Sequence, residues 1–188
     1  DVLAAVRRLK DNQPDSVIIL SVHWGNEYIE YPSLEQRRVA RQLARAGASM
    51  IIGHHPHVVQ GIDEADGALV AYSLGNFIFD GFSRATGWSM ILSVTVRDGV
   101  VEAFDTIPIE RQGDFRPAVA AGQRRDEYLA EIARRSALCS ETVTDEAAWE
   151  QSYQQTVRRL CQGSRKMLWR SLASRFFSFR PVFWPQLL

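Results

Sequence analysis

The sequence predicts an α/β protein, a layered sandwich followed by a helical tail. Three observations carry that prediction. Two strand-like runs, a β-branched one at 16–22 and a short one at 49–53, flank a helical segment at 34–46; from residue 58 the pattern changes to short strands and Asp-Gly turns; beyond about residue 112 the chain is charged, alanine-rich and helical in period. At 188 residues, with zero formal net charge and 46% hydrophobic residues, the composition can bury a core, and its overall charge balance points to no polyanionic partner.

The elements follow in order. Residues 2–10 place Val2, Val6 and Leu9 on one helical face with Asp1 as a cap, and Asn12-Gln13-Pro14-Asp15 breaks the pattern. The apolar run at 16–22 reads as a strand buried on both faces, ending at His23-Trp24-Gly25. A polar loop with Pro32 and Ser33 leads into the helix at 34–46, with Val39, Leu43 and Ala46 inward and Gly47 placed to end it. The strand at 49–53 again runs into histidines, and strand, helix, strand puts both strand ends on one edge of a sheet. Residues 58–62, 69–74, 88–96 and 100–109 read as further strands, with hairpin turns at Asp66-Gly67 and Asp98-Gly99. Residues 123–138 and 143–161 read as helices separated by Ser140-Glu141-Thr142. The composition shift places a boundary near residue 112, giving regions 1–112 and 113–188. Cys139 and Cys161, in no metal-type spacing, are expected as reduced thiols packed on helices.

All four histidines, His23, His54, His55 and His57, fall at the ends of the two strands expected to be neighbours. Open α/β sheets gather their sites at that edge. In an extended chain His55 and His57 point one way and His54 the other, and Pro56 is expected to hold the pair extended. Two imidazoles at that spacing, with a third from the neighbouring strand, form a nitrogen set suited to zinc, manganese or iron. Hydrolytic metal sites also use carboxylates, and Glu27 and Asp80 are near in sequence, though neither sits where a bridging carboxylate is expected.

His23-Trp24-Gly25-Asn26-Glu27-Tyr28, then Ile51-Ile52-Gly53-His54-His55-Pro56-His57-Val58-Val59-Gln60, then Tyr72-Ser73-Leu74-Gly75-Asn76-Phe77-Ile78-Phe79 together resemble the CapA family, the poly-γ-glutamate capsule synthesis proteins. That family is similar to calcineurin-like metallophosphoesterases. The resemblance implies that this chain is the C-terminal half of a metallophosphoesterase-like α/β/β/α sandwich with an added helical C-terminal tail. It implies His23, His55 and His57 as metal ligands and His54 as a residue behind them or in the loop. It further implies two divalent ions (Mn, Zn or Fe) in the full-length protein, which polarise a phosphate-like or acyl substrate. Glu27, His54 and Asn76 are the candidate catalytic residues. Glu27 either orients a ligand histidine, binds a substrate amine, or is a solvated loop carboxylate; Asn76 either reaches the same edge or is a turn residue. Trp24 and Tyr28 either line a substrate wall or pack, and Gln60 and Tyr72 are read as structural.

Relatives of this kind carry Asp-x-His, Gly-Asp and Asn-His elements earlier, and nothing before residue 16 supplies them. The chain, which lacks an initiator Met, is thus expected to open inside a longer protein and to be inactive alone. The full protein is expected to be a metal-dependent hydrolase in capsule synthesis, acting on an anionic polymer or phosphate-containing substrate. The alternative is a non-catalytic, metal-binding assembly or export factor for an anionic envelope polymer. No stretch has the apolar length to cross a bilayer, and location, at the cell envelope or in the cytoplasm, is left open. Residues 158–184 interleave arginines with aromatics and contain no acidic residue. They either meet an anionic membrane surface or polymer, or pack their aromatics on the domain with arginines outward, which the imperfect amphipathicity favours. No nucleic-acid fold or net basic domain is present.

Overall fold

The computed structural model describes residues 1–79, 86–140 and 145–178, without the side chains of 140 and 164–178. Asp80, the Glu141-Thr142 linker and residues 179–188 therefore lie outside the described residues, and the tail at 158–184 is described only as backbone from 164 to 178. The chain forms two compact units, Asp1–Glu150 and Gln151–Leu188. Among the described residues, no helix is long and apolar enough to cross a membrane.

Helix α1, Val2–Asn12, begins where Asp1 Oδ1 accepts a hydrogen bond from Leu3 N at 3.0 Å. Its buried residue is Val6, with Leu3 packed beside it, whereas Val2 and Leu9 are exposed, so the inward stripe differs from the expected one. Strand β1, Ile19–His23, pairs in parallel with β2, Met50–His54, across helix α2, Leu34–Arg45. Ser33 caps α2 in a reciprocal box with Gln36. Val39, Leu43 and Ala46 pack inward as expected, and Gly47 follows at φ 110. Strands β3, Ile62–Ala65, and β4, Ala68–Ala71, form a hairpin around Asp66-Gly67. The first sheet runs β1-β2-β4-β3.

The second sheet is antiparallel: β5, Trp88–Arg97, then β6, Val100–Arg111, then the short β7, Pro117–Val119. Both Asp-Gly turns have positive φ at each central residue, 48 and 82 at Asp66-Gly67, 50 and 75 at Asp98-Gly99. That is the geometry which matches strand twist in two-residue hairpins. Helix α3, Gly122–Ser140, packs on β3 and β6, and α4 is Glu146–Ser178. The result is the α/β architecture expected, two sheets with helices before and after them. Of residues 58–62, Val59 forms an isolated bridge to Leu74 and Ile62 opens β3, and β7 is an addition to the expected strands.

Two apolar layers hold the sheets. One joins Val6, Leu43, Ile51, Val70 and Tyr72 under α1 and α2. The other joins Met50, Leu69, Trp88, Met90 and Ile132 between the sheets and α3. β2 and β4 thus bury both faces. β1 does not: Ile19, Ser21 and His23 are exposed while Leu20 and Val22 are half-buried. It is an edge strand, and among the described residues the second sheet covers β2 and β4 but stops short of it. Both cysteines are free, Cys139 buried and Cys161 exposed.

Candidate metal centre

The site is built where β1 and β2 end. Register places His23 opposite His54, and Trp24 N donates to His54 O at 3.1 Å, carrying the pairing one residue further. Trp24 then turns back over the sheet: its Nε1 donates to Tyr72 O at 2.9 Å and its ring stacks on Tyr72. Glycine at position 53 permits the approach, because a Cβ there would lie 1.9 Å from Tyr72 O and 2.4 Å from Trp24 Nε1. Burial pushes the Tyr72 phenol far above its ordinary range, so it stays protonated.

Two loops leave these strand ends and are tied together. Tyr28 N donates to Pro56 O at 2.8 Å. The fully buried Gln60 donates from Nε2 to Ile29 O at 2.9 Å and to Tyr31 O at 3.2 Å, while its Oε1 accepts from Gln36 Nε2 at 3.2 Å. Gln36 is the residue that closes the cap of α2, so the helix start, the first loop and the second loop form one buried polar chain. The expectation of an extended His-Pro-His segment is overturned: His55 has φ 100 and His57 φ 59, with Tyr28 at φ 65 facing them. Positive φ at non-glycine residues costs on the order of 1–3 kcal/mol each and persists where surrounding contacts impose it. Here the Tyr28–Pro56 bond and the Gln60 ties impose it.

The strained loop brings one ligand atom each from Glu27, His55 and His57 within 4.8 Å of one another. Three ligands around one zinc at about 2.1 Å stand roughly 3.4 Å apart, a spacing this triad would reach by side-chain adjustment. Nitrogen and carboxylate donors together suit a divalent transition metal. His23 stands against the triad, its ring centroid 4.5 Å from that of His55. The structure therefore gathers His23, His55, His57 and Glu27, with Glu27 inside the tight group and His23 at its side. Asn76 also arrives: Gly75 bridges to Ser89, and Asn76 Oδ1 lies 2.8 Å from His57 Nδ1. His54 goes elsewhere. It is exposed and lines a groove of about 440 Å³ with Met50, Ile52, Leu74 and Phe77. Phe79 and Tyr28 flank His57, with ring centroids at 4.7 Å and 6.1 Å.

Nothing in the sequence singles out Arg135 or Glu30, and the expected structural role of Gln60 does not reveal which loops it ties. One of four arginines in a charged helix carries no sign of burial. The only hint is Glu131 four residues earlier, a spacing that also describes a solvated surface pair.

Residues 1–81 match the family model "Bacterial capsule synthesis protein PGA_cap". The capsule biosynthesis protein CapA of Bacillus anthracis is 32% identical over 130 residues, covering 68% of this chain and 32% of that protein. The PGA biosynthesis protein CapA of Bacillus subtilis (strain 168) is 36% identical over 110 residues, 58% of this chain and 28% of that one. An uncharacterized protein of Sinorhizobium fredii, y4sH, is 33% identical over 90 residues, 48% of this chain and 20% of its own length. The chain spans about a third of the length of the two CapA relatives. The matched residues include both loops that form the triad, and at family level the chain is a relative of the bacterial capsule synthesis proteins of the CapA and PGA_cap type.

Proposed function

We propose that this chain carries a divalent-metal site of a metallophosphoesterase-like hydrolase that works in capsule or envelope polymer synthesis. The single observation that supports it most is the convergence of Glu27, His55 and His57 within 4.8 Å. Those three side chains hold one ion, with His23 beside them as a further nitrogen donor and a second ion completed in the whole protein. A bound divalent metal there supplies Lewis acidity and a water that ionises near neutral pH.

The chain's own groups prepare the site. Asn76 Oδ1 can only accept, so its contact requires the proton of His57 on Nδ1 and leaves Nε2 free as a ligand. The same amide has an Nδ2 that is buried and, among the described residues, without a partner. An unpaired buried donor costs about 1–3 kcal/mol; here it is a donor held ready for an anionic oxygen. Relatives named for capsule and PGA biosynthesis support a poly-γ-glutamate or phosphate-containing substrate.

The test is metal analysis and zinc or manganese calorimetry on this chain, followed by phosphodiester and γ-glutamyl hydrolysis assays on the full-length protein. Stoichiometric metal, lost in His57→Ala and weakened roughly 10- to 100-fold in Asn76→Ala, is expected. Absence of bound metal together with full activity in His57→Ala removes the proposal. Tight metal and polymer binding without turnover turns the reading to an assembly factor.

A further inference from the structure

The two loops that deliver the metal triad are joined by a residue from beyond residues 1–81, the part that matches the family model. Arg135 lies in α3, and its side chain is only 4% exposed. Each of its nitrogen atoms is engaged. Nε donates to Glu131 Oε1 at 2.7 Å, Nη1 donates to Val59 O, and Nη2 meets Glu30 Oε1 at 2.9 Å. Its guanidinium also sits over the Trp88 ring at 5.2 Å, and that ring is stacked in parallel on Tyr128 at 4.6 Å. The cation is therefore fixed in position before it touches either loop.

Glu30 follows Glu27 by three residues, and Val59 follows His57 by two. One buried fork thus grips the loop of the carboxylate ligand and the loop of the two imidazoles at once. We infer that Arg135 is a positioning residue, which sets the separation between Glu27 and the His55 and His57 pair. The inference rests on the metal reading of that triad. A lysine is no substitute, since a single ammonium on a flexible stem cannot present three donors in a fixed plane.

Three variants of this chain test it. Arg135→Lys removes the fork, and Glu30→Gln weakens one arm of it. Ser136→Ala is the control: it deletes a hydroxyl that bonds Ile62 N at 2.9 Å, so it disturbs α3 docking away from the ligand loops. Two quantities are read, zinc affinity by calorimetry and hydrogen exchange of the metal-free protein at the Tyr28 amide, which bonds Pro56 O between the loops. Arg135→Lys is expected to weaken zinc about tenfold or more and to speed exchange at Tyr28. Glu30→Gln is expected to shift both the same way by less. Ser136→Ala should lower the melting temperature and leave both unchanged.

A folded Arg135→Lys protein with wild-type zinc affinity and wild-type exchange overturns the inference. If that variant does not fold, Glu30→Gln decides by the same two readouts. If the wild-type chain takes no zinc, the metal reading fails by itself. The exchange measurement then decides separately whether Arg135 holds the loops: unchanged exchange at Tyr28 in the variants ends this inference too.

Discussion

At His57 one hydrogen bond determines which ring nitrogen is available, and at Glu131 another pair determines how the arginine clamp responds to acid. The hydrogen bond from Arg134 is the largest influence on the Glu131 carboxyl; burial opposes it and Arg135 adds to it. The net effect lowers the carboxyl from its ordinary 4.5 to about 2. A carboxyl whose folded value lies below its unfolded value contributes stability that is complete above the unfolded value and is lost as pH falls through the folded one. For Glu131 that window runs from about pH 4.5 down to about pH 2. Glu131→Gln should therefore be less stable than the wild type near neutral pH, and the gap should narrow through the same window. Urea midpoints of both proteins at several pH values check this. A gap that stays constant from about pH 6 to about pH 2.5 contradicts the assignment.

Among the elements, β2 is the one on which most depends, since it pairs with both β1 and β4 and ends in the ligand loop. Its Gly53 faces Tyr72 O, and a Cβ there would lie 1.9 Å from that backbone oxygen, which can move only by parting the strands. Gly53→Ala should destabilise the protein by about 3 kcal/mol or more. Gly113→Ala, where nothing lies within 4 Å, should change stability by no more than about 0.5 kcal/mol. Chemical denaturation of both compares them, and equal midpoints refute the account. The strand–helix–strand unit and both Asp-Gly hairpins were legible because period, capping and turn chemistry are local. β7 was not, because three residues with a proline carry no period of their own. The turned conformation of His55 and His57 was not either: Pro56 biases its neighbour toward extended backbone, and the distant Tyr28 and Gln60 contacts oppose that bias.

Across the molecule, the place of the candidate site was legible and its inner composition was not. Parallel pairing of two strands that both end in histidine brings His23 beside His54 from sequence order alone, whereas the inclusion of Glu27 depends on how its loop folds back under Gln60. Glu27 and His57 stand about thirty residues apart in the chain, so their donors meet only when the fold is intact. An ion held by them binds the folded state and not the unfolded one, and must raise stability by mass action. At a zinc concentration 100 times the dissociation constant the gain is about 2.7 kcal/mol. For a unit the size of Asp1–Glu150, that gain corresponds to a rise in melting temperature of roughly 5–10 °C. His57→Ala should abolish the rise, and a chelator should reverse it in the wild type. Calorimetric melting with and without zinc decides the matter: an unmoved wild-type transition, or an equal shift in His57→Ala, means that the three donors do not share an ion.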